Sequence, residues 1–440
     1  MTAHSLNSGD VLKTKPGGVS VCVQKHLGTG GQGEVYRVES GGGRSMALKW
    51  YLPSVDRRRQ YRRIQRLINR GAPSEAFLWP EKLVADPSGQ GFGYLMELRP
   101  SEFYSVVDLM AGRVDPSFRA LAKTGMNLAE AFLNLHSRGL CYGDISFGNV
   151  FFDPATGDIR ICDNDNVVVD GSDDIGVMGT PRFMAPEIVR GEAMPTSDTD
   201  RYSLAVLLFY LFMVHHPLEG QRETEIRCLD LPAMERLYGE EPVFIFDPEN
   251  DANGPVKGVH DTAVLYWNLY PGFLRKLFVD SFTEGLRLPE DGRIRESQWR
   301  QAMCRLVDSI MYCDCGTEVF YDVDQLKRNN GTPAPCWCCK RSPELPPRMR
   351  VGGNVVVLTE KTRLRKRHLS RIPSKSGGDS PMAVCKTDGK GRVALLNRTS
   401  QSWSVASPGH STRSVAPGKH VELKDGLEIH FGEVLGRVRL

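Results

Sequence analysis

The sequence predicts an α+β chain: a large mixed unit, a short metal-binding knuckle and a small all-β unit. Three observations lead there. From about Val11 to Tyr312, strand-like and amphipathic helical segments alternate; five of the eleven cysteines crowd into positions 313–339; and from about Met382 to Leu440 short apolar runs are separated by Gly, Asn and Asp-Gly signals, the pattern of a β-meander. At 440 residues the chain exceeds what a single core usually organises. Its 56 Lys and Arg against 53 Asp and Glu give a net charge of +3, which exerts no general pull on nucleic acid or an anionic membrane. The longest apolar run, Leu204–Val214, is half the length needed to span a bilayer, and no basic, then apolar, leader opens the chain. A cytoplasmic protein without membrane or nucleic-acid partners is expected.

In chain order, the first element with chemistry is Leu27-Gly28-Thr29-Gly30-Gly31-Gln32-Gly33-Glu34-Val35-Tyr36, flanked by strand-like segments. Glycines let backbone N–H groups approach phosphate oxygens that a Cβ would keep away. No Lys-Ser or Lys-Thr follows, so this is not a Walker loop, and by itself it equally fits a plain hairpin turn. The strand Ser45-Met46-Ala47-Leu48-Lys49 comes at a distance where the amine can meet α and β phosphates.

Further on, Asp144 and Asn149 stand five apart in Tyr142-Gly143-Asp144-Ile145-Ser146-Phe147-Gly148-Asn149, between a helix end and a strand. That spacing lets one loop offer a carboxylate to a substrate hydroxyl and an amide oxygen to a metal. The hydrophobic strand ending in Cys162-Asp163-Asn164-Asp165 adds two carboxylates, hard oxygen ligands suited to Mg²⁺. Taken singly, these residues read as a helix cap, a turn and a solvated loop.

Together, and with Gly179-Thr180-Pro181-Arg182-Phe183-Met184-Ala185-Pro186-Glu187, Asp198-Thr199-Asp200-Arg201-Tyr202-Ser203 and Arg293, the motifs resemble in order and spacing the eukaryotic-like protein kinase family. The resemblance implies a bilobal fold over 11–312, with an N-lobe at 11–96 and a C-lobe at 100–312. It implies an ATP site in which Gly28, Gly30 and Gly33 cover the phosphates, Val35 and Ala47 line the pocket, Lys49 orients the triphosphate, and Met96, Glu97 and Leu98 form the hinge. Asp144 would be the catalytic base; Asn149 and Asp163 would hold Mg²⁺ or Mn²⁺. Asp200 would tie down the catalytic loop, and Arg293 would pair with Glu187. A protein substrate, phosphorylated on Ser or Thr, follows from the same resemblance.

Several positions depart from the family pattern. Gly143 replaces the arginine beside the base, Ser146 the lysine two residues after it, and Asn164-Asp165 the Phe-Gly pair. The helix that should supply a glutamate to Lys49 reads Arg57-Arg58-Arg59-Gln60-Tyr61-Arg62-Arg63-Ile64-Gln65-Arg66-Leu67-Ile68-Asn69-Arg70, with seven arginines and no acid. Gln65 falls in the expected window, and Glu75 is the nearest downstream carboxylate. An active kinase is expected, with a pseudokinase scaffold that docks partners as the alternative. The arginines read as a solvated face, as a regulatory dock for an acidic or phosphorylated partner, or as a cation–π or nucleic-acid surface.

These departures, with Ala263–Pro271 and Phe273–Phe278, resemble the atypical bacterial kinases of the tellurite-resistance-associated triads, which implies a von Willebrand A-type protein and a PP2C-like phosphatase as partners in phosphosignalling. Cys313-Asp314-Cys315 and Cys336-Trp337-Cys338-Cys339 offer two thiolate pairs for a tetrahedral structural Zn²⁺ within 313–340, a zinc-ribbon-like knuckle; free or redox-active thiols are the other reading. Cys338 or Cys339 completes the set, and the C-x-x-C spacing favours Cys339. Residues 341–375 are a basic linker or the first strands of the β-domain. Over 376–440, Leu396–Ser400, Trp403, Val415–Gly418 and Leu423–Gly432 resemble the later strands of a forkhead-associated sandwich, which implies a phosphopeptide partner; Gly352-Gly353 and Arg367-His368 match its earlier signature only in part.

Overall fold

A computed structural model describes residues 5–86, 91–172, 178–369, 380–387, 392–407 and 411–440. Parts of the segment between Asp163 and Glu187, of the basic stretch and of the expected sandwich (173–177, 370–379, 388–391 and 408–410) lie outside the described residues. The chain divides into two units. One comprises Met1–Pro116, Asn127–Asp261 and Phe278–Ser297, the other Ser117–Met126, Thr262–Leu277 and Gln298–Leu440. This division cuts across the boundary expected at 312, because 117–126, 262–277 and 298–312 group with the C-terminal residues.

The first unit opens with strands β1 (Val11–Lys15), β2 (Ser20–Thr29), β3 (Gly33–Ser40) and β4 (Arg44–Tyr51), helix α1 (Arg57–Arg70), then β5 (Lys82–Ala85) and β6 (Phe92–Glu97). The strands close into a barrel in the order β1-β2-β3-β4-β6-β5, with Lys13 to Lys15 paired against Ala85 to Leu83. Alternation decides the inside: Leu12, Val21, Val23, Tyr36, Val38, Met46, Leu48 and Leu95 form one buried cluster, and the residues between them on the strands face the other way. Helix α1 starts where the Asp56 carboxylate accepts the Arg59 N–H, and ends at Gly71, whose φ of 70° suits glycine. Ile64 and Leu67 are buried and hold it to the barrel side.

After the barrel come helices α2 (Val106–Met110), α3 (Phe118–His136), α4 (Pro186–Val189) and α5 (Ser197–Met213). Helix α5 begins with a capping box between Thr196 and Thr199, and nearly every later residue is buried, which is why its sequence is apolar all round rather than striped. Phe209 packs edge-on against Phe244, Phe278 and Phe282, with ring centres 5.6, 5.2 and 5.9 Å apart.

In the second unit, hairpin Ile310–Tyr312/Glu318–Phe320 presents Cys313 and Cys315 at its turn. The β-domain is a two-sheet sandwich. Arg348–Val351 joins Asn354–Val357 on one side and Leu435–Arg439 on the other, in a six-stranded sheet that also holds Trp403–Ala406, Arg413–Val415 and Glu428–His430. Arg363–Leu364, Ala383–Thr387, Val393–Asn397 and His420–Glu422 make the second sheet. Of the two readings of 341–375, the described residues from 348 to 364 thus supply strands to both sheets. Between the sheets lie Met349, Val351, Val356, Leu395, Trp403 and Ile429, all buried. Asp308 accepts hydrogen bonds from Arg367 Nη2 (3.3 Å) and His368 Nε2 (2.9 Å), so this turn is anchored within the unit.

His136, at the end of α3, is buried with Asp200 Oδ2 3.0 Å from Nε2 and Glu296 Oε1 2.6 Å from Nδ1. Burial alone would lower its pKa, but hydrogen bonds and attraction to the two carboxylates outweigh it, so the value rises from 6.5 to about 9. Burial would raise Glu296, yet His136 and Arg201 bring it from 4.5 down to about 2. The histidine's stabilising contribution is complete below 6.5 and is lost as pH climbs through 9. The glutamate's is complete above 4.5 and is lost as pH falls through 2. The melting temperature should therefore decline between pH 6.5 and 9, and His136→Gln should flatten that limb; a decline as steep in the variant would assign the limb to other groups.

Candidate functional site

Strand register brings the expected pocket residues to one face. Val35 pairs with Lys49, Lys49 with Tyr94, and Ala47 with Met96; partners across strands, and residues two apart along a strand, point the same way. Lys49, Ala47 and Met96 are buried, Val35 half-buried, and Glu97 is exposed where the chain leaves β6, with Leu98 following. In the glycine loop, a Cβ on Gly28 or Gly31 would meet nothing within 4 Å, and on Gly30 only the Gly33 carbonyl oxygen at 3.8 Å. Packing does not require glycine at those positions, and its presence leaves the backbone N–H groups open to close approach by a ligand. Gly33 differs: its Cβ would sit 2.4 Å from the Trp50 carbonyl oxygen, so the close packing of β3 on β4 excludes any side chain.

The Lys49 ammonium is buried and donates to two carboxylates, Asp163 Oδ1 at 2.8 Å and Asp165 Oδ1 at 2.9 Å. Asp165 is wholly buried. Its other oxygen accepts the Tyr51 hydroxyl (2.6 Å) and Gln60 Nε2 (3.3 Å), and the same Gln60 nitrogen donates to Tyr51 Oη (2.9 Å). Burial alone would depress the lysine, but Asp165 and then Asp163 hold its pKa above the ordinary value. Asp165 is kept below the usual carboxylate range against the effect of burial, chiefly by the Lys49 charge and by the Tyr51 hydrogen bond. The sequence left the partner of Lys49 open. The amine's buried partner comes from position 165, where the family pattern has glycine. The α1 side chain that reaches this network is Gln60; Gln65 faces outward and donates to Asn69 Oδ1 (3.2 Å).

Asp163 has left-handed backbone, φ 53° and ψ 41°, and its side chain stays partly exposed at 39%. One of its oxygens takes Lys49, which leaves the second for a cation. Behind it the Cys162 N–H donates to the Asn149 carbonyl oxygen (2.8 Å), joining the two loops. Asn149 Nδ2 donates to the Asp144 carbonyl oxygen (2.7 Å) and to Asp144 Oδ2 (3.3 Å), so the amide oxygen is the group left for a metal. Thr180 Oγ1 donates to Asp144 Oδ1 (2.8 Å). Burial raises the Asp144 pKa, against the Thr180 and Asn149 hydrogen bonds that favour the anion. Asp200 accepts the backbone N–H groups of Tyr142 (2.6 Å) and Gly143 (2.9 Å), which fixes the loop from below. Arg293 Nη2 lies 2.7 Å from Glu187 Oε1. The glycine loop closes toward the same place, with Gln32 Nε2 3.4 Å from Asn166 Oδ1.

In the second unit, Cys313, Cys315, Cys336 and Cys339 bring their sulfurs within 4.8 Å of one another, with 3.5 Å between Cys313 and Cys339 and 3.8 Å between Cys315 and Cys336. These spacings are too long for disulfides, and the two shortest are close to the about 3.8 Å edge of a tetrahedron with Zn–S bonds of about 2.3 Å. Cys338 is exposed and outside the group. Four thiolates so arranged could hold a zinc ion.

The family described as the protein kinase domain matches residues 100–254. Among curated proteins, the chain is 30% identical over 212 residues to the DNA damage-responsive serine/threonine-protein kinase RqkA of Deinococcus radiodurans, covering 46% of this chain and 30% of that one. It is 29% identical over 176 residues to CBL-interacting protein kinase 4 of Oryza sativa, 38% of each chain. It is 28% identical over 125 residues to protein kinase gsk31 of Schizosaccharomyces pombe, 27% and 33%. The matches thus span less than two fifths of these relatives' lengths.

Proposed function

We propose that the chain is an ATP- and Mg²⁺-dependent protein kinase that transfers the γ-phosphoryl group to Ser or Thr of a partner protein or of itself. The observation that carries this reading is the convergence on one place of Lys49, Asp163, Asn149 and Asp144, beneath a loop in which Gly28, Gly30 and Gly31 meet no steric demand for glycine from the fold. The backbone of Gly28, Gly30 and Gly33 covers the triphosphate, Lys49 orients it, and Met96, Glu97 and Leu98 take the adenine edge beside Val35 and Ala47. Asp144 accepts a hydrogen bond from the acceptor hydroxyl and takes its proton as the phosphoryl group arrives in line. Asn149 and Asp163 would hold Mg²⁺ or Mn²⁺, which neutralises charge on the phosphates when bound. Asp165 acts through Lys49: it holds the amine in place without a helix carboxylate, and thereby removes the main sequence argument for a pseudokinase scaffold.

The four-cysteine group would bind a structural Zn²⁺, knitting a segment too small for a core of its own. The sandwich fits a forkhead-associated reading best at the Asn397 turn. There Asn397 is buried, donates to the Gln401 and Val415 carbonyl oxygens and accepts from Thr399, leaving Arg398 and Ser400 exposed for a phosphopeptide. The subgroup resemblance supports a von Willebrand A-type protein and a PP2C-like phosphatase as partners in bacterial phosphosignalling. No described helix is long and apolar enough to cross a membrane.

With radiolabelled ATP and Mg²⁺ or Mn²⁺, wild type should label itself or a partner. Asp144→Ala should lower the rate by about 10²–10⁴-fold, and equal labelling by that variant would refute the assignment. Asp165→Asn should lower it about 10²-fold by loosening Lys49, while Gln65→Ala should leave it unchanged; the reverse ranking would return the role to the helix. For the knuckle, elemental analysis should find one zinc per chain, lost in Cys336→Ser. A metal-free protein with the same melting temperature would contradict the zinc assignment.

A further inference from the structure

Helix α1 carries a feature that phosphoryl transfer does not use. Arg58, Arg62, Arg66 and Arg70 recur at every fourth position and all four are exposed. Four residues advance a helix by about 6 Å and turn it by about 40°, so these side chains form one continuous ridge. Arg66 Nε donates to the Arg62 carbonyl oxygen (3.4 Å). Arg58, Arg62 and Arg70 have no ion-pair partner among the described residues. Like charges at i and i+4 destabilise a helix, and α1 has no acid in its first turn to offset them. A ladder of like charges that persists at such a cost fits a partner that supplies the opposite charge.

We infer that this ridge is a docking surface for the acidic face of a helix in a partner protein, with carboxylates at every fourth position. Two ridges of four-residue spacing share the same step and inclination, and they lie along each other when the helices cross at about −50°. Guanidinium groups meet carboxylates in bidentate pairs, which suits a face built from arginine with no lysine. Duplex nucleic acid also presents a regular row of anions and is the competing occupant. The chain's net charge of +3 adds no broad field to favour it.

The test uses the full chain and a labelled alanine-based helical peptide with four glutamates at four-residue spacing, followed by fluorescence anisotropy. Wild type should bind it, with affinity falling at least tenfold between low and physiological salt. Arg62→Glu/Arg70→Glu should weaken binding at least tenfold. That variant turns the ridge into alternating charges, which favours the helix, so loss of binding would not stem from unfolding. It should in turn bind a peptide whose two facing glutamates are replaced by lysine better than wild type does. Unchanged affinity in the variant, failure of the lysine swap, or tighter binding of duplex DNA than of the acidic peptide would each overturn the inference. None of these readouts depends on kinase activity.

Discussion

A buried ammonium ion governs the first unit. Taking Lys49 out of water costs several kcal/mol, and a single carboxylate at the rim of a cleft, partly solvated as Asp163 is, offsets this poorly. The wholly buried Asp165, itself satisfied by Tyr51 and Gln60, completes the balance. Strand β4 supplies the amine and a hydroxyl, the segment after Ile161 supplies both acids, and α1 supplies an amide. The pocket therefore keeps its shape only while three separate stretches of chain stay in register.

That arrangement gives the departures from the family pattern a common physical reading. Lys49 is met by the acids at 163 and 165, while α1, a helix of arginines, carries no acid that could meet it. The left-handed backbone at Asp163 lets the next two residues turn inward in a short 3₁₀ segment, so Asn164 and Asp165 are both fully buried. Asn164 then spends its amide on the Leu78 and Ile161 carbonyl oxygens rather than packing as a phenyl ring would. Polar contacts take over here what hydrophobic packing does elsewhere.

Much of the site was legible in the sequence because its residues lie in short motifs with fixed spacing: the glycine loop, the strand ending in Lys49, the Asp144–Asn149 loop and the paired cysteines. The partner of Lys49 was not. Searching α1 for it at the usual position led to Gln65, whereas Gln60, Ile64 and Leu67 fall at i, i+4 and i+7 on the buried face. A lone amide on an apolar stripe was the available signal. The acid at 165 was hidden for a different reason, since neighbouring carboxylates after a strand read as a solvated loop until tertiary structure buries one of them. In the β-domain, Arg348-Met349-Arg350-Val351 shows the two-residue alternation of a half-buried strand, but the density of positive charge there read equally well as a linker.

The closure of the N-terminal strands also bears on how this part of the chain meets other chains. An open sheet of that size would end in two rows of unsatisfied amide and carbonyl groups, each a template on which a foreign strand could crystallise or a misfolded copy could nucleate. Pairing β1 with β5 consumes both rims at once. Recruitment of a partner by strand addition is thereby closed to the barrel, and its contacts with other proteins must be made by side chains alone.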